Sequence, residues 1–270
     1  MKVAVTGATG FVGRELMRRL PEARAVRRGE SFAEAFAGAA AVIHLIGIIR
    51  ERGSDNFEHV HVGLTRMALE AAKAAGVGRF LHMSALGTRA GARSRYHQTK
   101  WAGEELVRQS GLAWTIFRAS VIYGPEDKSV NVLAKTLRML PVAVVLGSGK
   151  TRIQPISVED VAAALVSALN CEAAIGCTYD LCGPEAFTWD ELYDKLAAVM
   201  GLRRPKLHLP LALARPIAAV MEWVLPAPPF TRDQLLMIAE DNVGDPRPMI
   251  CQLGVRPDRL DEKVREYLAR

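Results

Sequence analysis

Cysteine is scarce and unpatterned in this chain of 270 residues. Its four cysteines, Cys171, Cys177, Cys182 and Cys251, form no C-x-x-C pair and have no histidine at zinc-finger spacing. A disulfide scaffold and a structural zinc site are therefore not expected; buried thiols in a reducing compartment are. Lysine is scarce too, at nine of 35 basic residues, and the arginines are scattered along the chain. The net charge of +6 thus forms no polyanion stripe, and no nucleic-acid partner is expected. No apolar run is long enough to span a bilayer, because the longest, Leu207 to Leu225, is broken by Pro210, Arg215, Pro216 and Glu222. Met1 leads directly into Lys-Val-Ala-Val-Thr-Gly with no charged and apolar leader, so a cytoplasmic protein is expected, not a secreted one.

What is present is an ordinary globular mixture, 50% hydrophobic and 24% charged, enough for one sizeable core and a smaller lobe. Short apolar runs alternate with helical patterns through the first half, as in a parallel sheet covered on both faces. Strands are expected at Lys2–Thr6, Arg24–Arg27, Val42–Gly47, Arg79–Ser84, Thr115–Tyr123 and Tyr179–Leu181. Helices are expected at Gly10–Leu20, Phe57–Ala75, Tyr96–Ser110 and Val158–Leu169. The resulting fold class is α/β, with residues 1–122 and 156–185 in the sheet domain. Residues 123–155 and 186–270 would build a smaller substrate or partner lobe.

Thr6-Gly-Ala-Thr-Gly-Phe-Val-Gly13 sets glycines at G-x-x-G-x-x-G spacing between a strand and a helix. Gly7 permits the tight turn, Gly10 lets backbone amides approach a pyrophosphate, and Gly13 lets helix and strand pack closely. Thr9, Phe11 and Val12 complete this cofactor-binding turn, whose helix N-terminus favours phosphate charge. A nicotinamide dinucleotide is the expected ligand. Where an acidic residue would bind the adenosine ribose, the chain has Arg27 and Arg28. Either could pair with a 2′-phosphate, which favours NADP(H) over NAD(H); two solvated surface arginines are the alternative. Leu45, Ile46 and Gly47, at the end of their strand, are further expected cofactor contacts. Between Leu20 and Val42 there is room for one strand and one short helix, Phe32–Gly38, so one edge strand of the Rossmann-like sheet is expected to be missing.

Tyr96 and Lys100 stand four apart on one helix face. An ammonium beside a phenol stabilises its anion and makes it a usable acid/base. Together these features resemble the short-chain dehydrogenase/reductase superfamily in its extended or atypical branch. The resemblance extends through Phe117-Arg-Ala-Ser-Val-Ile-Tyr-Gly-Pro125, Gln154-Pro-Ile-Ser-Val-Glu-Asp-Val-Ala162 and Tyr179-Asp-Leu-Cys-Gly-Pro184. Met83-Ser-Ala-Leu-Gly87, Pro229–Leu236 and Glu240-Asp-Asn-Val243 look like the subgroup of the dehydrogenase-like accessory subunit of respiratory complex I and its bacterial relatives. The resemblance implies Tyr96 as acid/base and Lys100 on the nicotinamide ribose. Two departures stand out. Ala85 occupies the position where active members carry the Ser or Thr that bonds the substrate oxygen, and His61 stands where an Asn is usual. Ser84, one residue early, is the candidate catalytic hydroxyl in its place, which requires an irregular strand end, since neighbouring strand residues face opposite ways.

Two readings follow. One is an NADPH-dependent oxidoreductase, or an epimerase/dehydratase-like enzyme, acting on a carbonyl, sugar-like or quinone-related small molecule; the other is a non-catalytic nucleotide-binding assembly or accessory module related to respiratory complex I. Gly147-Ser-Gly-Lys-Thr151 imitates a P-loop but has Val144 where a glycine is needed, so a turn is expected. His59 and His61 do not share a helix face, and no metal site is expected. The apolar, proline-interrupted stretch 207–230 packs inside the smaller lobe or docks a protein partner or a membrane surface, which would make the protein peripheral to the membrane.

Overall fold

The structure is a computed structural model that describes residues 1–226 and 228–269. The chain opens with β1 (Val3–Thr6), α1 (Phe11–Arg19), β2 (Arg24–Val26), α2 (Phe32–Phe36) and β3 (Ala41–His44). A π-helical turn, Glu58–Gly63, then leads into α3 (Leu64–Ala74), β4 (Arg79–Ala85), α4 (Arg95–Arg108) and β5 (Ala113–Ala119). Next come β6 (Ile122–Tyr123), α5 (Val130–Met139), β7 (Ala143–Leu146), β8 (Arg152–Ile153), β9 (Ile156–Ser157), α6 (Val158–Leu169) and β10 (Cys177–Leu181). The last part holds β11 (Phe187–Thr188), α7 (Trp189–Val199), β12 (Lys206–Leu209), α8 (Leu211–Val224), α9 (Arg232–Ile238), α10 (Arg247–Leu253) and α11 (Leu260–Leu268).

Two compact units result. The first contains residues 1–119, 158–181 and 245–256; the second contains 120–157, 182–244 and 257–270. In the first, six parallel strands are ordered β10-β5-β4-β3-β1-β2. Their fully buried stretches, such as Val-Ala-Val-Thr in β1 and Ala-Val-Ile-His in β3, suit a sheet covered on both faces. Helix α1 packs on α6, while α2 packs on α3 and α3 on α4. This is the expected Rossmann-like sheet. Only β2 lies outside β1, where the six-stranded dinucleotide fold carries two strands, so the missing edge strand is real. Direction reverses between β1 and β3, and open α/β sheets bind ligands at the C-terminal ends flanking such a switch.

The second unit has its own core, in which Tyr123, Leu137, Val145, Ile153, Leu192, Leu196 and Val264 are buried together. Here the Gly147–Thr151 segment is a turn that leads into β8 and not into a helix, as expected.

Several expectations need correction. The third strand stops at His44, so Leu45, Ile46 and Gly47 follow it. The single helix expected over 57–75 is divided by the π turn. The strand expected over 115–123 breaks at Ser120 and Val121, and its two pieces pair with different strands. Residues 245–256, assigned to the smaller lobe, belong to the sheet unit, where α10 packs on β10 and α6. None of the four cysteines is in a disulfide; Cys182 alone is buried, while Cys171 and Cys177 are half-buried and Cys251 is exposed.

Candidate functional site

The glycine turn is built from close approaches that a side chain would block. Gly7 has φ +70, and a Cβ there would lie 3.1 Å from the Leu45 carbonyl carbon and 3.3 Å from the Ile46 nitrogen. A Cβ on Gly13 would run into the Gly7 carbonyl oxygen and come within 2.7 Å of the Ala8 backbone. The Gly10 N–H donates to the Gly7 carbonyl at 2.9 Å, closing the turn. Helix α1 then begins with no side-chain cap and no acidic residue in its first turn. Its first N–H groups and its dipole are available to an anion. Thr9 and Gly10 are exposed, Phe11 and Val12 half-buried. Arg14 donates to the Thr9 carbonyl at 2.9 Å, adding a cation at the turn. Donors, dipole and cation fit a pyrophosphate.

At the end of β2 the two arginines differ. Arg28 donates to both carboxylate oxygens of Asp55, at 2.6 and 2.9 Å. Arg27 is exposed; its backbone N–H donates to Glu30 at 2.9 Å, and its guanidinium has no carboxylate partner among the described residues. Across the switch point, Leu45 and Ile46 are half-buried and Gly47 is exposed. A Cβ on Gly47 would sit 2.9 Å from the Lys100 ammonium nitrogen, so the absence of a side chain there makes room for the lysine head.

Lys100 comes from α4, whose N-cap Ser94 accepts from the His97 N–H at 3.2 Å. The lysine is 5% exposed, and its ammonium donates to the Met83 carbonyl at 3.1 Å. Burial lowers its pKa to about 8, with Glu104 opposing the shift. Tyr96 lies one turn earlier, half-buried, and burial pushes its phenol above the ordinary value. The expected depression of the phenol by Lys100 is therefore not met: desolvation dominates at this position.

The π turn supplies the wall around Tyr96. Phe57 and His61 stack at 5.4 Å; Tyr96 meets Phe57 edge-on at 5.8 Å and His61 edge-on at 5.3 Å. His61 Nδ1 lies 2.9 Å from Thr99 Oγ1 and its Nε2 3.0 Å from the Ile48 carbonyl. Burial, with Lys100 nearby, drops its pKa to about 2, so it is neutral. Its backbone also sits against α4, where a Cβ on Gly103 would be 2.6 Å from the His61 carbonyl oxygen.

Ser84 does not join this group. Strand β4 stays regular through Ala85, pairing Ser84 with Arg118 and Ala85 with Ala119. The Ser84 hydroxyl donates to Glu104 at 2.6 Å. Fully buried Glu104 also accepts from Arg108 at 2.6 Å and from Arg118 at 2.7 and 2.9 Å. The catalytic assignment of Ser84 is thus corrected: its hydroxyl is committed to an ion-pair hub beneath α4. Nearby, Thr88 is buried with an unpartnered hydroxyl. His82 is buried with neither ring nitrogen bonded, stacked at 5.7 Å on His44. Sequence reasoning missed Glu104, Phe57 and the histidine stack. The Lys100–Glu104–Arg108 spacing of four was the available signal for the hub. Among the described residues no His, Cys, Asp and Glu cluster could hold a metal.

Comparison with known proteins agrees with this geometry. A family described as NAD(P)H-binding matches residues 24–172. The chain is 29% identical to the Arabidopsis thaliana NADH dehydrogenase [ubiquinone] 1 alpha subcomplex subunit 9, mitochondrial, over 98% of this chain and 76% of that protein. It is 34% identical to a ceramide reductase of Caulobacter vibrioides, over 77% and 73% of the two chains. Among solved structures, MoeE5 in complex with UDP-glucose and NAD superposes with a TM-score of 0.78 at 21% identity, covering 99% and 98% of the chains. The Bacillus cereus UDP-glucuronic acid 4-epimerase, in complex with UDP-glucuronic acid and NAD, gives 0.75 at 19% identity, covering 99% of each.

Proposed function

The chain belongs to the NAD(P)H-binding family, in the atypical short-chain dehydrogenase/reductase branch that includes complex I accessory subunits, and from that premise we propose an NADP(H)-dependent carbonyl oxidoreductase. The observation that carries this reading is Lys100. A buried ammonium bonded to one backbone carbonyl and to no carboxylate is expensive to fold around. Such a group is the mark of a functional site, and here it lies against Gly47 at the sheet's C-terminal edge.

In this reading the Gly7–Gly13 turn and the α1 N-terminus hold the pyrophosphate, and Leu45, Ile46 and Gly47 line the path toward the nicotinamide. Bound there, the cofactor supplies or accepts a hydride. Lys100 would donate to the ribose hydroxyls from its place against Gly47. Tyr96 donates its phenolic proton to the carbonyl oxygen of the substrate, or removes it in the reverse direction. Phe57 and His61 keep water from the phenol and fix its ring. Arg27 is the selector for the 2′-phosphate, because Arg28 is held by Asp55. The second unit is the substrate-selecting lobe, and the relative named as a ceramide reductase supports carbonyl reduction as the chemistry. Free thiols suit the reducing cytoplasm.

One observation favours the second reading, a nucleotide-binding module without turnover. Ser84 is committed to Glu104 and Ala85 offers no hydroxyl, so the substrate oxygen lacks its usual second donor. Turnover on a panel of carbonyl compounds separates the two. The enzyme reading expects Tyr96→Phe to abolish turnover, by a factor of a hundred or more on the order of general acid catalysis, with NADPH affinity intact. A wild-type protein that binds NADPH and turns over no panel member puts the module reading ahead.

A further inference from the structure

Helix α8 inverts the ordinary amphipathic arrangement. Its buried face consists of small residues, Ala214 and Ala218, set against Leu235 with Leu146, Leu209, Leu211 and Phe230 packed around them. Leu213, Ile217, Val220 and Val224, at spacings of four, three and four, point to solvent, and Trp223 beside them is 88% exposed. No charged residue interrupts that outer stripe. A helix apolar on both faces is normally buried on both. The strand pair that packs on α8 through Leu146 and Leu209 also carries apolar surface, where exposed Leu207 lies opposite exposed Val144.

The charge around this stripe is one-sided. From Arg203 to Arg232 the chain has five Lys or Arg residues, at 203, 204, 206, 215 and 232, and one carboxylate, Glu222. Glu222 is paired with Arg232 at 2.7 Å, and Lys206 with Asp194 at 2.6 Å. Arg203 and Arg215 are exposed and meet no carboxylate among the described residues. An uncharged apolar stripe on a segment with surplus cations complements an anionic lipid surface, where apolar side chains enter the acyl boundary and cations meet phosphates. At 14 residues α8 is too short to cross a bilayer, and no described helix meets that requirement. Lying in the plane of the interface is the arrangement its length allows.

We propose that α8 docks the protein on an anionic phospholipid bilayer, with Trp223, Val220, Ile217 and Leu213 inserted and Arg203 and Arg215 on the headgroups. The docking stands on the second unit alone and is independent of the dinucleotide site. The experiment is sedimentation of the full chain with vesicles of phosphatidylglycerol and phosphatidylethanolamine, or of phosphatidylcholine. It is paired with tryptophan emission and quenching by brominated lipid. The wild type is expected to bind the anionic vesicles at least tenfold more tightly than the neutral ones. Its emission should shift to the blue and be quenched, and Trp223→Phe should lose that change while the protein still sediments. Val220→Glu with Trp223→Glu should reduce binding at least tenfold; both positions are exposed, so NADPH affinity and circular dichroism should stay unchanged. Equal binding of the two vesicle types, or none, overturns the proposal. So does a wild-type dimer that the double variant makes monomeric, since the stripe would then be filled by a second copy.

Discussion

The sheet unit takes Lys100, Glu104 and the imidazoles of His44, His61 and His82 out of water, whereas the second unit leaves Leu213, Val220 and Trp223 in it. Both reverse the usual partition of residues between core and surface. The reversals differ in kind. Buried charges under α4 are either held by partners, as at the Glu104 hub, or kept nearly unpaired, as at Lys100. The first arrangement is structural, and the second is, in the proposed reading, preparation for a ligand. Exposed apolar residues on α8 make no contact with the core beneath the helix, and on the proposal above they meet a lipid surface. Chemistry is thus expected where polar groups are buried, and docking where apolar groups are exposed.

The strongest way to break this contrast is at the turn. Gly13→Ala places a Cβ into the Gly7 carbonyl and the Ala8 backbone, neither of which can give way. A loss of roughly 4 kcal/mol or more, or outright failure to fold, is expected from chemical denaturation, with NADPH binding gone in any folded fraction. Next is the hub. Glu104→Gln removes the charge shared by Arg108 and Arg118, and a loss of about 3 kcal/mol is expected by the same measurement. Ser84→Ala removes one donor and should cost about 1 kcal/mol, leaving turnover essentially intact if Ser84 is structural.

Acid sharpens the comparison further. Folding lowers the pKa of His44 to about 3 and of His61 to about 2, and holds His82 well below its ordinary value, in each case chiefly by burial. The unfolded chain therefore binds more protons below pH 6.5, and stability is lost as pH falls toward the folded values. Each excluded proton contributes up to about 1.4 kcal/mol per pH unit. His82 has no hydrogen-bond partner to lose, so His82→Leu should flatten that slope while leaving stability at pH 7 unchanged or improved. A further effect concerns cofactor choice. Arg27→Ala should weaken NADPH about tenfold with little change for NADH, and Arg28→Ala, already paired with Asp55, should do less. Equal loss of both cofactors would remove Arg27 as the selector.

Much of the sheet unit could be read from the residues because its signals are local. The turn Thr6–Gly13 carries its glycines within a few positions, and Val158–Leu169 forms the helix its periodicity implied. The Tyr96/Lys100 spacing likewise holds within one helix. What escaped depended on tertiary partners. The π turn has the same apolar pattern as an α-helix, so nothing in Glu58–Gly63 announced that His61 would rotate onto Tyr96. Ser84 is ambiguous in the sequence, and only the regular strand β4 and the hydrogen bond it donates to Glu104 decide its role. Arg28 finds Asp55 far along the chain, a pairing no spacing rule reports. The exposure of α8 was also undecided, since apolar residues with prolines read equally as core or as surface.

In the proposed reading, Lys100 is held buried in order to meet a dinucleotide. Folding lowers its pKa from 10.5 to about 8, so its unfavourable contribution is fully present below pH 8 and fades as pH rises to the unfolded value. The direct test is an NADPH fluorescence titration at pH 7 of the wild type and Lys100→Met, with thermal unfolding of both without ligand. The account predicts micromolar binding by the wild type, at least tenfold weaker binding by the variant, and a higher melting temperature for the variant. A wild type that gives no NADPH response, or a Lys100→Met variant that binds as tightly as the wild type, would contradict it.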